Sequence, residues 1–208
     1  MKRVILSEGK NDTIFLKELL TKKMAIEESK ILFFDQNSQD IEKNLKFLED
    51  IYFDKLQSEW MEYKLLVKSE GGKTKIIDVT ISKLPYLCRQ GYNPIMLIDL
   101  DSSPMDNSSM KSFIDRFAEK LINRFRCYNL KIKSKELHKI NDALMYSMTL
   151  FKNTKSIGTI YIIGFYQTLE RVTGIDNSIR TDEKKRNMSK TYIERSQIHE
   201  MFIKALQE

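Results

Sequence analysis

Short, unbroken runs of apolar residues alternate along this chain with longer stretches whose apolar positions recur every three or four residues. That rhythm predicts strands and helices taken in turn. The runs are Val4-Ile5-Leu6, Leu65-Leu66-Val67, Ile95-Met96-Leu97-Ile98 and Thr159-Ile160-Tyr161-Ile162-Ile163. They do not alternate with polar residues, so they read as strands buried on both faces, which belong to a parallel sheet covered by helices. Between them, Phe15, Leu16, Leu19, Leu20 and Met24 share one helical face, with Asn11 or Asp12 as cap. Ile77, Ile81, Leu84 and Cys88 mark a second helix, which Pro85 is expected to kink or end. Ile114, Phe117, Leu121 and Phe125 mark a third, over 110–126. A further helix is expected near 135–151, then a helical turn or two from Tyr166 to Val172 with Gly174 as its C-cap. A polar, mobile stretch from Asp176 to Lys190 and a final helix from Ile193 to Leu206 complete the pattern.

Residues 24–62 read as an insertion. Ile31-Leu32-Phe33-Phe34 forms a short strand there, and Asp40 opens a long amphipathic helix through Leu45, Leu48, Tyr52 and Leu56 towards Trp60. The expected fold is therefore α/β, with about four mainly parallel strands flanked by helices. Residues 1–175 form this domain with its mostly helical insertion, and 176–208 add the polar segment and the C-terminal helix.

Composition narrows the class. The 208 residues are 41% hydrophobic and 31% charged, as one compact domain requires. Cys88 and Cys127 stand far apart, which speaks against a disulfide framework or a thiolate zinc site. Val4 follows Met-Lys-Arg directly, so no signal peptide is expected, and no apolar stretch approaches the ~20 residues of a membrane span. A cytoplasmic protein is the expectation. Net charge is +6 but unevenly spread. Residues 24–62 hold ten acids and four bases, whereas 111–139 hold nine bases and three acids. Within the basic stretch, Arg124, Arg126, Lys131 and Lys133 are candidate nucleic-acid contacts if the side chains share a face; a solvated helix surface is the competing reading.

The chemistry gathers where two of the apolar runs end. Glu8-Gly9-Lys10-Asn11-Asp12 follows the first and Asp99-Leu100-Asp101 closes the third. In open α/β sheets the carboxyl ends of the strands form the ligand crevice, and acids packed there repel one another unless a cation lies between them. Hard oxygen ligands favour Mg²⁺ or Mn²⁺. Asp99 and Asp101, two apart on a strand, are expected to point to one face and hold the metal together. Glu8, from a neighbouring strand, would act as general base or acid, or as a third ligand. Asp12 reads as a helix cap or an accessory acid. Lys10 and Lys73 read as phosphate contacts or as solvated lysines, and Glu170 as a second-metal ligand or an exposed helical residue. His138 and His199 are too far apart in sequence to suggest a ligand pair.

Two partial motifs offer rival chemistry. Gly72-Lys73-Thr74 resembles the end of a phosphate-binding P-loop, but the glycine that pattern needs five residues earlier is Val67. Asp99-Leu100-Asp101-Ser102-Ser103 resembles the nucleophile loop of haloacid-dehalogenase phosphatases, but that loop normally opens its domain, and no later acidic pair completes the site.

The order of motifs is more specific than any one of them. A strand ends in Ser-Glu-Gly-Lys-Asn-Asp, a helix follows, a strand ends in Gly71-Gly72, a helix follows, and a strand ends in Asp-Leu-Asp. This order resembles the TOPRIM domain shared by topoisomerases, bacterial-type primases, maturase-type ribonucleases and the overcoming-lysogenization-defect nucleases. The likeness covers roughly residues 3–126, or 3–163 with the last strand counted, and omits the insertion. It implies a catalytic role for Glu8, metal-binding roles for Asp99 and Asp101, and divalent-metal-dependent cleavage of DNA or RNA. The Gly71-Gly72 turn is nearest to the nuclease branch. Ser102-Ser103-Pro104 stands where topoisomerases and primases carry a third acid, and no ATPase domain is visible. A separate ATPase is thus the protein partner the resemblance leaves open. The alternative from another class is a TOPRIM-like module that grips nucleic acid or a protein without cutting.

Overall fold

A computed structural model describes residues 2–34, 65–175 and 178–207. Strand β1 (Lys2–Ser7) enters helix α1 (Lys10–Lys17), which runs on as a π-helical segment over Glu18–Lys23. Strands β2 (Ile31–Phe34) and β3 (Leu65–Ser69) precede α2 (Lys73–Arg89), β4 (Tyr92–Asp99) and α3 (Asn107–Arg124). A meander of β5 (Leu130–Lys139), β6 (Ala143–Lys152) and β7 (Lys155–Phe165) leads to α4 (Leu169–Thr173), α5 (Asp182–Arg195) and α6 (Ile198–Gln207).

Among the described residues the strands form one seven-stranded sheet in the order β2-β3-β1-β4-β7-β6-β5. The four pairings from β2 to β7 are parallel, and β6 runs antiparallel to both of its neighbours. Two apolar layers sandwich it. Val4, Leu6, Met96 and Ile98 face α2 and α3, while Ile5, Ile95 and Leu97 face α1, α5 and α6. This two-sided burial explains why the central strands are continuously apolar. After β1 the chain winds towards β3 and β2, and after β4 towards β7, so the order reverses between β1 and β4. Helices α1 and α3, which follow these two strands, lie on opposite faces. The loops leaving β1 and β4 therefore diverge and open a crevice at their carboxyl ends.

Several expectations need correction. Seven strands replace the expected four, because 135–151 belongs to a β-hairpin and not a helix and because β2 joins the same sheet. Helix α2 continues through Pro85 to Arg89. The polar stretch 176–190 contributes most of α5, and the expected last helix is broken by extended backbone at Ser196 into α5 and α6. These helices belong to the core: Tyr192, Ile193 and Phe202 are buried, and the buried Arg3 donates from Nε to the Ala205 carbonyl at 2.7 Å. Within the insertion, β2 is an edge strand of the main sheet; the helix expected from Asp40 to Trp60 lies outside the described residues. Among the described residues no helix is long and apolar enough to cross a membrane.

Candidate functional site

The ends of β1 and β4 lie side by side, in register at Leu6 and Met96. Glu8 follows β1 immediately, and its Oε1 accepts the Asp99 N–H at 2.9 Å. The backbone N–H of Lys73, the first residue of α2, also favours the charged form of this carboxylate. Gly9 is the N-cap of α1 and has no side chain with which to cap it. Asp12, in the first turn of α1, caps the helix in its place, where its Oδ2 accepts the N–H of Glu8 at 2.7 Å and of Gly9 at 2.8 Å. Asp12 thus closes the turn that aims Glu8 across to β4.

Asp99, half-buried, turns towards α4, where its Oδ1 accepts the Leu169 N–H at 3.0 Å. The loop behind it is tied to the end of β7 by Leu100 N–H to the Phe165 carbonyl and Ser102 N–H to the Tyr166 carbonyl, at 2.8 and 2.7 Å. Asp101 lies on this loop in the left-handed region, with φ of +52°. Alternation ends there, so Asp101 does not share a direction with Asp99 as a continuing strand would require. It is exposed instead, and its Oδ2 accepts from Lys73 Nζ at 2.9 Å. The two carboxylates are thus engaged by different elements, Asp99 by the start of α4 and Asp101 by Lys73 of α2.

Glu170, in the first turn of α4, accepts from Asn11 Nδ2 at 3.2 Å, and Asn11 Oδ1 accepts from Lys185 Nζ at 2.9 Å. Lys10 pairs with Asp182 at 3.6 Å. These contacts dock α5 onto the crevice. Behind it, Lys68 and Glu70 form an inward ion pair at 3.0 Å beside the end of β1. Asn11, Lys185, Lys68 and Glu70 escape sequence reasoning as site residues. Asn11 reads only as a cap, Lys185 falls in a polar stretch, and nothing flags Lys68-Ser69-Glu70 as turned inward.

The electrostatics follow from this crowding. Burial, reinforced by the charges of Asp12, Glu8 and Glu170, pushes Asp99 up to about 8. Burial also lifts Asp12 to about 7, with Glu170 and Glu8 adding to it and the backbone N–H groups opposing. Glu8 is raised mainly by burial, against the pull of its backbone bonds and Lys73. Four of the sequence candidates, Glu8, Asp12, Asp99 and Glu170, therefore converge, while Asp101 and Lys73 pair at the rim.

Among the described residues no three His, Cys, Asp or Glu side chains stand in a geometry that would by itself hold a metal ion. The donor set nonetheless suits a hard cation. Glu8 and Asp99 bring carboxyl oxygens to adjacent strand ends, their mutual repulsion would be relieved by positive charge, and Mg²⁺ typically takes one or two carboxylates and completes its octahedron with water.

The predicted basic patch lies elsewhere. Leu130 is paired with Lys152 and Lys152 with Lys155, whereas Asp99 stands level with Phe165 at the other end of β7. Ten residues at 3.3 Å each place Lys131, and Arg124 and Arg126 before it, about 30 Å from the acids. Nor do the bases share a face. Leu130 and Ile132 pack into the layer containing α3, so the alternating Lys131 and Lys133 project from the opposite side of the sheet.

No family model matches this chain, and no curated protein matches it.

Proposed function

We propose that this chain is a TOPRIM-like, divalent-metal-dependent nuclease acting on nucleic-acid phosphodiesters. The observation that carries this reading is the Glu8 carboxylate bonded to the Asp99 backbone at 2.9 Å, at the point where the strand order reverses. Glu8 and Asp99 are the residues that would hold Mg²⁺ or Mn²⁺, with Asp101 reaching the ion only by giving up Lys73. When bound, such a cation neutralises charge on a phosphoryl oxygen and acidifies water. Glu8, with its raised pKa, accepts or returns the proton of the attacking water. Lys73 offsets negative charge at the rim, and Asp12 and Glu170 position α1 and α4 around the reacting group.

A second reading has its own support. The oxygens of Glu8, Asp12 and Asp99 already accept backbone N–H groups, and Asp101 is neutralised by Lys73. That arrangement suits a module that binds nucleic acid or a protein without cutting.

Incubating the protein with single- and double-stranded DNA and RNA in Mg²⁺, Mn²⁺ or EDTA separates the two. The nuclease reading expects metal-dependent cleavage that falls at least a hundredfold in Glu8→Gln and Asp99→Asn. Cleavage undiminished in both variants, or binding without cleavage in any metal, would reject it.

A further inference from the structure

We infer that a cavity of about 320 Å³ beside Asp101, lined by Lys73, Ser108, Ser109, Ser112 and Arg116, is a phosphate subsite. It rests on the nuclease reading and deepens it, by assigning to the cavity a non-scissile backbone phosphate of the substrate strand.

The cavity adjoins the acids through one residue. Lys73 bonds Asp101 on one side and lines the cavity on the other, so an anion seated there lies next to the reacting centre. Its volume equals about ten waters at 30 Å³ each, room for a phosphate with part of its hydration shell. Arg116 supplies the second cation. Its Nε donates to the Ser112 carbonyl at 3.2 Å, which fixes the side chain along α3. Among the described residues no carboxylate pairs with its guanidinium, whose terminal nitrogens keep the fork geometry that suits phosphate.

The neighbouring acid does not compete. Asp106 caps α3 with its oxygens engaged by the Ser108 N–H and by the Ser108 and Ser109 hydroxyls, at 2.9, 2.6 and 3.1 Å. Ser112, one turn further along α3, also lines the cavity. Beyond it, Arg116, Lys120 and Arg124 follow at four-residue spacing on exposed positions of α3, so positive charge continues away from the cavity along a path a polynucleotide can follow. This side of the crevice therefore gives the strand a foothold that needs no metal.

The test measures binding of a short single-stranded oligonucleotide in EDTA as salt is varied, with Arg116→Gln, Arg116→Lys and Ser112→Ala. All three variants alter exposed positions, and unchanged melting curves would confirm folding. Arg116→Gln should weaken binding about tenfold and reduce the salt slope by about 1. Arg116→Lys should keep the slope while losing part of the affinity, because it keeps charge but not the fork. Inorganic phosphate should compete better than chloride at matched ionic strength with the wild type, and no better with Arg116→Gln. Affinity and slope unchanged in Arg116→Gln would overturn the subsite while leaving the nuclease reading to the Glu8 and Asp99 variants. If the wild type binds no oligonucleotide, yet phosphate raises its melting temperature and not that of Arg116→Gln, the phosphate site stands and the nucleic-acid assignment falls.

Discussion

Asp99 is held between an apolar strand that disfavours its charge and neighbours that repel it, while the Leu169 N–H favours the ionised form. Its proton is therefore bound more tightly in the folded chain than in the unfolded one. A carboxyl raised in this way contributes stability that is complete below its unfolded value of 3.8 and is lost as pH climbs through the folded value near 8. Asp12 acts in the same direction up to about 7. The metal-free protein should accordingly melt at lower temperature at pH 8 than at pH 5.5. Asp99→Asn should flatten the slope and melt above wild type at pH 8, as scanning calorimetry across that range would show; a slope identical to wild type would remove Asp99 as its source. At this scale the sequence is partly legible. A strand end followed by an acid locates Glu8 and Asp99, because a buried apolar run leaves little doubt where the sheet edge falls. The turning away of Asp101 leaves no such mark, since a left-handed aspartate is chosen by the loop that Phe165 and Tyr166 hold in place.

The elements show the same division. The four central strands are legible as short unbroken apolar runs and the first three helices by their three-to-four-residue period, and the cap at Gly174 is legible because its φ of +76° suits glycine. The hairpin of β5 and β6 is hidden for a physical reason. In β6 the apolar run is broken by Ser147 and Thr149, which leaves Leu144, Met148 and Phe151 at helix-like spacing, while a register shift between Glu136 and His138 disturbs the period of β5. Helix α5 is hidden by its polarity, being held by a few buried groups and by Lys185 and Asp182. Strand β7 supplies a paired test of which element supports the crevice. A methyl on Gly164 would stand 3.0 Å from the Leu100 side chain, beside the acids, and one on Gly158 would stand 2.5 Å from Cys88 Sγ, towards the other end of the strand. Gly164→Ala and Gly158→Ala should each cost about 1–3 kcal/mol in urea unfolding, as overpacking does. Only Gly164→Ala should also shrink the rise in melting temperature produced by Mg²⁺; an equal loss in both would mean that the Leu100 loop does not shape the site.

At the scale of the whole sheet, and among the described residues, buried acids gather at the carboxyl ends of the parallel strands, with Arg124, Arg126 and Lys131 towards the opposite end. Spanning the roughly 30 Å between them takes about nine nucleotides of a stacked strand at 3.4 Å each. Neutralising Arg124, Arg126, Lys131 and Lys133 together should leave the affinity for a five-nucleotide strand unchanged and weaken that for a twenty-nucleotide strand several-fold. Equal weakening of both in fluorescence-anisotropy titrations would place these bases nearer the acids than the fold allows.

Among the described residues strand β5 is the outermost strand on one side of the sheet, and along it Lys131, Lys133 and Lys135 are exposed at every second position, with the Lys133 ammonium 5.4 Å from the centre of the Phe151 ring. The outward row of backbone donors and acceptors on such a strand is a template on which another copy could add its own outermost strand. Three like charges meeting three like charges make that addition repulsive. The lysines therefore guard colloidal behaviour, independently of any ligand. Stripped of them, the chain would retain its fold yet lose the barrier that keeps one sheet from growing into the next.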